Sequence, residues 1–189
     1  VDDFLVAAAP PMQAQWKHYY DSVFTLSSEP RPTIYAGLEI DRGESETRVS
    51  QKMAIKEMLE RHGYGVDYFP SDPGTPLPAG YDVTEVDRPD AASADPKMVK
   101  RLQSLIGELL YYAVKTRTDI LFAVSTLARI QLRPTAKDFA MAWRIYDYLW
   151  HTWDLELKYR NGPWLGPDGH TYKALETAWF VDASWDVPS

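Results

Sequence analysis

The chain has 189 residues, of which 45% are hydrophobic and 25% charged, the balance of a folded domain with a core rather than of a disordered tail. No apolar run approaches the roughly 20 residues of a membrane-spanning helix, so no membrane partner is expected. The lack of Cys excludes disulfides, thiolate zinc sites and a Cys nucleophile. A net charge of −7 argues against a polyanionic partner, but the distribution argues for one. Residues 97–160 carry 11 basic and 6 acidic side chains, residues 1–96 only 8 against 17. The alternative is a helix face that is merely well solvated.

The chain opens on Val1-Asp2-Asp3, without an initiator Met, and the expectation is a segment of a longer polypeptide. Phe4 to Val6 reads as a short strand entered from a turn. Pro10 and Pro11 open a helix to about Phe24, because Pro is tolerated in a first turn. Thr33–Asp41 reads as a strand, and Thr47–Val49 returns across a polar turn to make a hairpin. Ser50 is placed to cap a helix with Ile55, Met58, Leu59 and His62 on one face, and Gly63 ends it.

Residues 70–96 hold six of the 14 prolines and form an extended connector. Asp95-Pro96 then starts a helix in which Val99, Leu102, Leu105, Ile106, Leu109, Leu110 and Ala113 recur at helical spacing. A second helix covers about Asp119–Leu132. Thr135 with Asp138 resembles a capping box for a third, with Phe139, Trp143, Tyr146, Leu149 and Trp150 inward. Three helices on short loops make a small bundle. Leu155, Leu157 and Tyr159 alternate with charged residues as a half-buried strand. Ala178–Val181 is another short strand, ending at Asp182.

Adjacent carboxylates such as Asp2 and Asp3 share a site only at a turn, because successive side chains on a flat strand point to opposite faces. Held close, they repel unless a cation neutralises them, which suits Mg²⁺-dependent phosphoryl or nucleotidyl transfer; a solvated Asp-Asp turn is the alternative. Gly107 costs about 1 kcal/mol against Ala in mid-helix. It shares a stripe with Gln103 and Tyr111, so it either permits close helix packing or leaves the face flat for a ligand. Lys97, Lys100 and Arg101 occupy the polar side of the same helix and could reach phosphates.

Several of these segments resemble one family. Val1-Asp2-Asp3-Phe4-Leu5-Val6 is similar to the Val-Asp-Asp-Leu-Leu-Ile motif of copia-type LTR retrotransposon reverse transcriptases, and Tyr35-Ala36-Gly37-Leu38-Glu39-Ile40 to their Phe-Leu-Gly-Ile-Glu-Ile strand. Leu105-Ile106-Gly107-Glu108-Leu109-Leu110-Tyr111 and Thr116-Arg117-Thr118-Asp119-Ile120 resemble Leu-Ile-Gly-Ser-Leu-Leu-Tyr and Thr-Arg-Pro-Asp-Ile. Asp182-Ala183-Ser184-Trp185 resembles the Asp-Ala-Asp-Trp at which the family's ribonuclease H begins.

The resemblance implies an α+β chain. Residues 1–69 would be the end of a polymerase palm, with β-hairpins and helices, and 70–96 a connector. Residues 97–153 would be a three-helix thumb, and 154–189 the first strands of a ribonuclease H-like domain. It implies RNA-directed DNA synthesis in the parent protein, inactive in this segment alone. Asp2 and Asp3 would be Mg²⁺ ligands, Asp182 the first ribonuclease H acid, Tyr35, Ala36 and Gly37 a primer grip, and Lys97, Lys100, Arg101, Gln103, Gly107 and Tyr111 a duplex-binding face. The implied partners are an RNA/DNA primer–template duplex, dNTP, upstream palm and fingers, and downstream ribonuclease H segments; the implied place is a cytoplasmic virus-like particle. Ala36, Thr118 and Ser184 depart from the family pattern. A catalytically inactive retroelement remnant, at most binding nucleic acid, and an unrelated three-helix interaction module are the alternatives.

Overall fold

Two prolines at the start of a helix remove N–H groups that would have no partner there, and Pro10 and Pro11 do this for α1 (Pro10–Val23). The computed structural model describes residues 8–25, 31–81, 88, 90, 93–160, 162–165 and 169–172. No residue of α1 is buried, and Trp16 and Tyr20 stack along its side at 5.4 Å.

The strand expected over Thr33–Asp41 is two strands. β1 (Ile34–Tyr35) and β2 (Leu38–Arg42) are joined by Ala36 and Gly37, with Tyr35 opposite Leu38 and Ile34 opposite Glu39. Ala36 and Gly37 have φ of 50° and 76°, the left-handed pair that a two-residue hairpin turn requires. The apolar run hides this turn because Ala is an unusual occupant of the first position.

β2 pairs with β3 (Glu46–Ser50), as the hairpin reading expects. Ser50 does not cap α2 (Lys52–Arg61): it ends β3, buried, and Gln51 stands at the cap position without a capping side-chain bond. Instead the Glu39 carboxylate, reaching from β2, accepts from the Met53 N–H at 2.8 Å. At the other end Gly63 has φ of 86°. Its N–H and that of Tyr64 donate to the Glu60 and Leu59 carbonyls, a Schellman ending.

α3 (Pro96–Ala113) starts as expected, the Asp95 carboxylate accepting from the Lys97 N–H at 2.9 Å. Leu102, Leu105, Ile106, Leu109 and Ala113 are buried, but Leu110 is 40% exposed and Tyr112 is buried in its place. Two residues are 200° apart on a helix, and the Tyr112 hydroxyl gains the Ala54 carbonyl at 3.1 Å. The second helix is shorter than expected: a 3₁₀ turn at Thr118–Ile120 leads into α4 (Leu121–Ala128). α5 (Ala136–His151) carries the expected capping box of Thr135 and Asp138.

The core joins Ile55, Met58 and Leu59 of α2 to the inner faces of α3, α4 and α5. The stretch 70–81 has no helix or strand and lies on α5. There Arg144 donates to the Pro73 carbonyl at 2.7 Å, and Tyr81 and Arg88 both reach Asp138.

β4 (Leu157–Arg160), assigned from the sequence to the start of a following domain, is the fourth strand of the first sheet, in the order β1-β2-β3-β4. It runs antiparallel to β3, with Val49 opposite Leu157 and Glu46 opposite Arg160. Glu156 sits between Lys52 at 2.7 Å and Arg48 at 3.5 Å, tying this strand to α2 as well. The expected half-burial is slight, since Tyr159 is exposed. A separate pair, β5 (Trp164–Leu165) and β6 (Thr171–Tyr172), follows. The fold of the described residues is α+β. The strand expected at Ala178–Val181 lies outside them, as do Asp2, Asp3 and Asp182.

Candidate nucleic-acid interface

The outer face of α3 follows from its inner one. With Leu102, Leu105, Leu109 and Ala113 turned to the core, residues near 100, 103, 107 and 111 must face solvent, and Lys97, Lys100, Arg101, Gln103, Gly107 and Tyr111 are all exposed. From Lys100 to Tyr111 the stripe runs for about 17 Å of helix. Arg101 lies at its edge, with its guanidinium 5.7 Å from the centre of the Phe139 ring on α5, so its charge is drawn toward the neighbouring helix.

The packing reading of Gly107 finds no neighbour to support it. A Cβ built there meets no atom within 4 Å, so no helix among the described residues needs the space. What the missing side chain does leave is a shallow interruption in the stripe, flanked by an amide at Gln103 and a phenol at Tyr111.

The stripe ends against the hairpin turn. A Cβ on Gly37 would lie 2.5 Å from the Tyr111 phenol oxygen, so a side chain at 37 could not coexist with Tyr111 as placed. Here the glycine serves both its left-handed backbone and a close approach. Lys115, one turn beyond Tyr111, donates to the Ala36 carbonyl at 2.8 Å, and its ammonium stands 4.1 Å from the centre of the Tyr111 ring. The structure therefore brings together two groups that the sequence names separately, Tyr35 to Gly37 and the stripe on α3. Sequence reading misses Lys115, although its spacing of four from Tyr111 at the end of the basic helix is a visible signal.

Two polar clusters fix the angle at which α3 is presented. Glu108 accepts from Arg61 Nη2 at 2.9 Å and Tyr146 Oη at 2.8 Å and lies 2.7 Å from His62 Nε2, joining α3 to α2 and α5. Burial alone would raise its pKa, but hydrogen bonds from His62, Tyr146 and Arg61 outweigh burial and hold the carboxyl below its usual range. Beyond the helix, Arg117 is 1% exposed, with its guanidinium on both oxygens of Asp119 and on the carbonyl and hydroxyl of Thr152. A buried guanidinium needs such a complete set of acceptors, and the set spans the turn after α3 and the end of α5.

Chemically, the face offers ammonium groups at Lys97 and Lys100, amide and phenol donors at Gln103 and Tyr111, and a gap at Gly107. That arrangement can bind a phosphate backbone and lie against a shallow groove; it holds no nucleophile paired with a base. Among the described residues no three His, Asp or Glu side chains are placed to share a metal ion. The expected metal ligands Asp2, Asp3 and Asp182 lie outside those residues.

The chain is similar to a Saccharomyces cerevisiae protein named after the transposon Ty5-1, with 29% identity over 165 residues. That match covers 86% of this chain and 51% of the relative, so it spans about half the length of the curated protein. No family model matches the chain, and no solved structure matches it.

Proposed function

We propose that the chain is part of a retroelement reverse transcriptase and that its described portion grips a primer–template duplex. In this reading α3 lies along the minor groove with Gln103, Gly107 and Tyr111 inward, and Lys97 and Lys100 reach phosphates on either side. The turn at Ala36-Gly37 faces the primer strand. Residues 1–69 belong to the palm, 70–96 to a connector and 97–153 to the thumb, and 154–189, whose first strand β4 completes the sheet of the palm segment, lead into ribonuclease H. Asp2 and Asp3 are Mg²⁺ ligands, and Mg²⁺ when bound supplies charge neutralisation for nucleotidyl transfer; Asp182 serves the ribonuclease site.

The observation that carries this reading is the open, unfilled position of Gly107 in the middle of a solvent-facing stripe. A helix that had only to be soluble would gain about 1 kcal/mol from Ala there. The transposon relative and the copia-type motifs support it from the sequence side.

The test is duplex binding by fluorescence anisotropy across a salt series. Lys100→Ala should weaken binding and flatten the salt dependence by about one counterion. Gly107→Val should weaken binding at an unchanged salt slope, with circular dichroism showing the helices intact. A folded Gly107→Val chain that binds as tightly as the parent refutes the groove contact.

A further inference from the structure

A second concave surface lies at the C-terminal end of α2, beside α5. His62, Tyr64, Tyr68 and Trp143 line an open cleft of about 220 Å³. The turn that follows the Schellman ending of α2 carries two of these rings, and α5 supplies the indole. Tyr64 and Tyr68 meet edge to face at 5.1 Å, and His62 and Trp143 do so at 5.4 Å. Tyr64 is buried, whereas Tyr68 is 47% exposed and forms the accessible wall.

The surrounding charges select what such a cleft can hold. The Tyr64 hydroxyl donates to Asp147 Oδ1 at 2.7 Å. Burial first, and then the same carboxylate, push the pKa of Tyr68 up. Behind His62 stands Glu108, whose charge is shared among Arg61, His62 and Tyr146. The guanidinium of Arg61, next to His62 in the chain, is thus already engaged. A phenol donating to a carboxylate keeps its ring electron-rich, and electron-rich rings attract cations over their faces. A phosphate-bearing ligand would meet Asp147 instead.

We propose that this cleft is an aromatic cage for a quaternary ammonium group. Its lining is Tyr68, Trp143, Tyr64 and His62, and Asp147, held by the Tyr64 hydroxyl, supplies the balancing charge. The volume suits a trimethylammonium head with part of its stem, carried by a free small molecule or by a methylated lysine of a protein partner. This site is independent of the duplex face and of the polymerase reading.

Binding to the full chain can be followed by ligand-observed saturation-transfer NMR. The probes are choline, its uncharged carbon isostere 3,3-dimethylbutanol, and N-acetyl-trimethyllysine amide, each at matched ionic strength. Both cations should bind saturably, and the isostere about threefold more weakly or worse. Tyr68→Ala should weaken choline binding by a similar factor, while Tyr68→Phe, which keeps the ring, stays within about twofold of the parent. Tighter binding of trimethyllysine than of choline identifies a protein source, and the reverse a small molecule. Equal binding of the uncharged isostere, no saturable binding of either cation, or an unchanged affinity in Tyr68→Ala overturns the proposal.

Discussion

Gly37 and Gly107 lie on the same surface and should respond to one added methyl group in opposite directions. At Gly107 the backbone is helical and the space empty, so Gly107→Ala should raise stability by about 1 kcal/mol, seen as a higher urea midpoint at an unchanged slope. At Gly37 the φ of 76° disfavours any L side chain, and the new carbon would press on the Tyr111 hydroxyl. Gly37→Ala should therefore cost about 1–2 kcal/mol. A Gly107→Ala chain less stable than the parent would show that this glycine has a packing role after all. Of these two residues, only Gly107 has its helical setting written in the sequence. Nothing local to Gly37 reveals Tyr111, because a contact between residues 37 and 111 exists only once sheet and bundle have met.

At the scale of elements, α5 depends on a junction that is half legible. The capping box of Thr135 and Asp138 is readable because a cap is a local chemical relation, and the same holds for Asp95 on α3. What the sequence does not disclose is that Asp138 is fully buried and also receives Arg88 from the proline-rich stretch, with Nη2 at 2.8 Å. Burial would raise the Asp138 pKa, but hydrogen bonds from Arg88 and Thr135 prevail and lower it. A carboxyl depressed in the folded state contributes stability that is present above its unfolded value, about 3.9, and lost as pH falls through the folded one. Stability should thus decline below about pH 4. Arg88→Met should cost roughly 3 kcal/mol at pH 7 by leaving a buried charge without its partner. It should also move the acid transition upward, because Asp138 then protonates more easily. An acid midpoint in Arg88→Met that matches the parent's would show that the pair does not govern this pH dependence. Proline content correctly marks residues 70–81 as irregular. It says nothing of where an irregular segment docks, since that is decided by carbonyls meeting Arg144 and Asp138 rather than by any periodicity.

For the molecule as a whole, the informative element is β4. Its alternation is visible in the sequence, but strand pairing is not, because a ladder is made by backbone groups that every residue carries. The family resemblance groups residues from 154 with a following domain, and the four-residue ladder to β3 and the contacts of Glu156 with Lys52 and Arg48 bind this strand to the sheet at the front of the chain. A chain ending at residue 153 should be less stable than one ending at 160 by about 2–4 kcal/mol, from the lost ladder bonds and the bared edge of β3. Equal denaturant midpoints for the two truncated chains would mean that the strand adds nothing to the sheet.

The same pairing orders events in time. Val49 and Leu157 face each other across a loop on the order of a hundred residues, and closing such a loop from an unfolded chain is entropically costly and slow. The bundle between them shortens that path, since α2 packs on α5 and leaves β3 and the residues after His151 near one another. The hairpin β2–β3 and the helices can form from neighbours in sequence, whereas β4 must await them. On a ribosome, where the front of the chain emerges first, the edge of β3 stays bare until the bundle is complete, and the strand of this sheet that is synthesised last is the one that covers it.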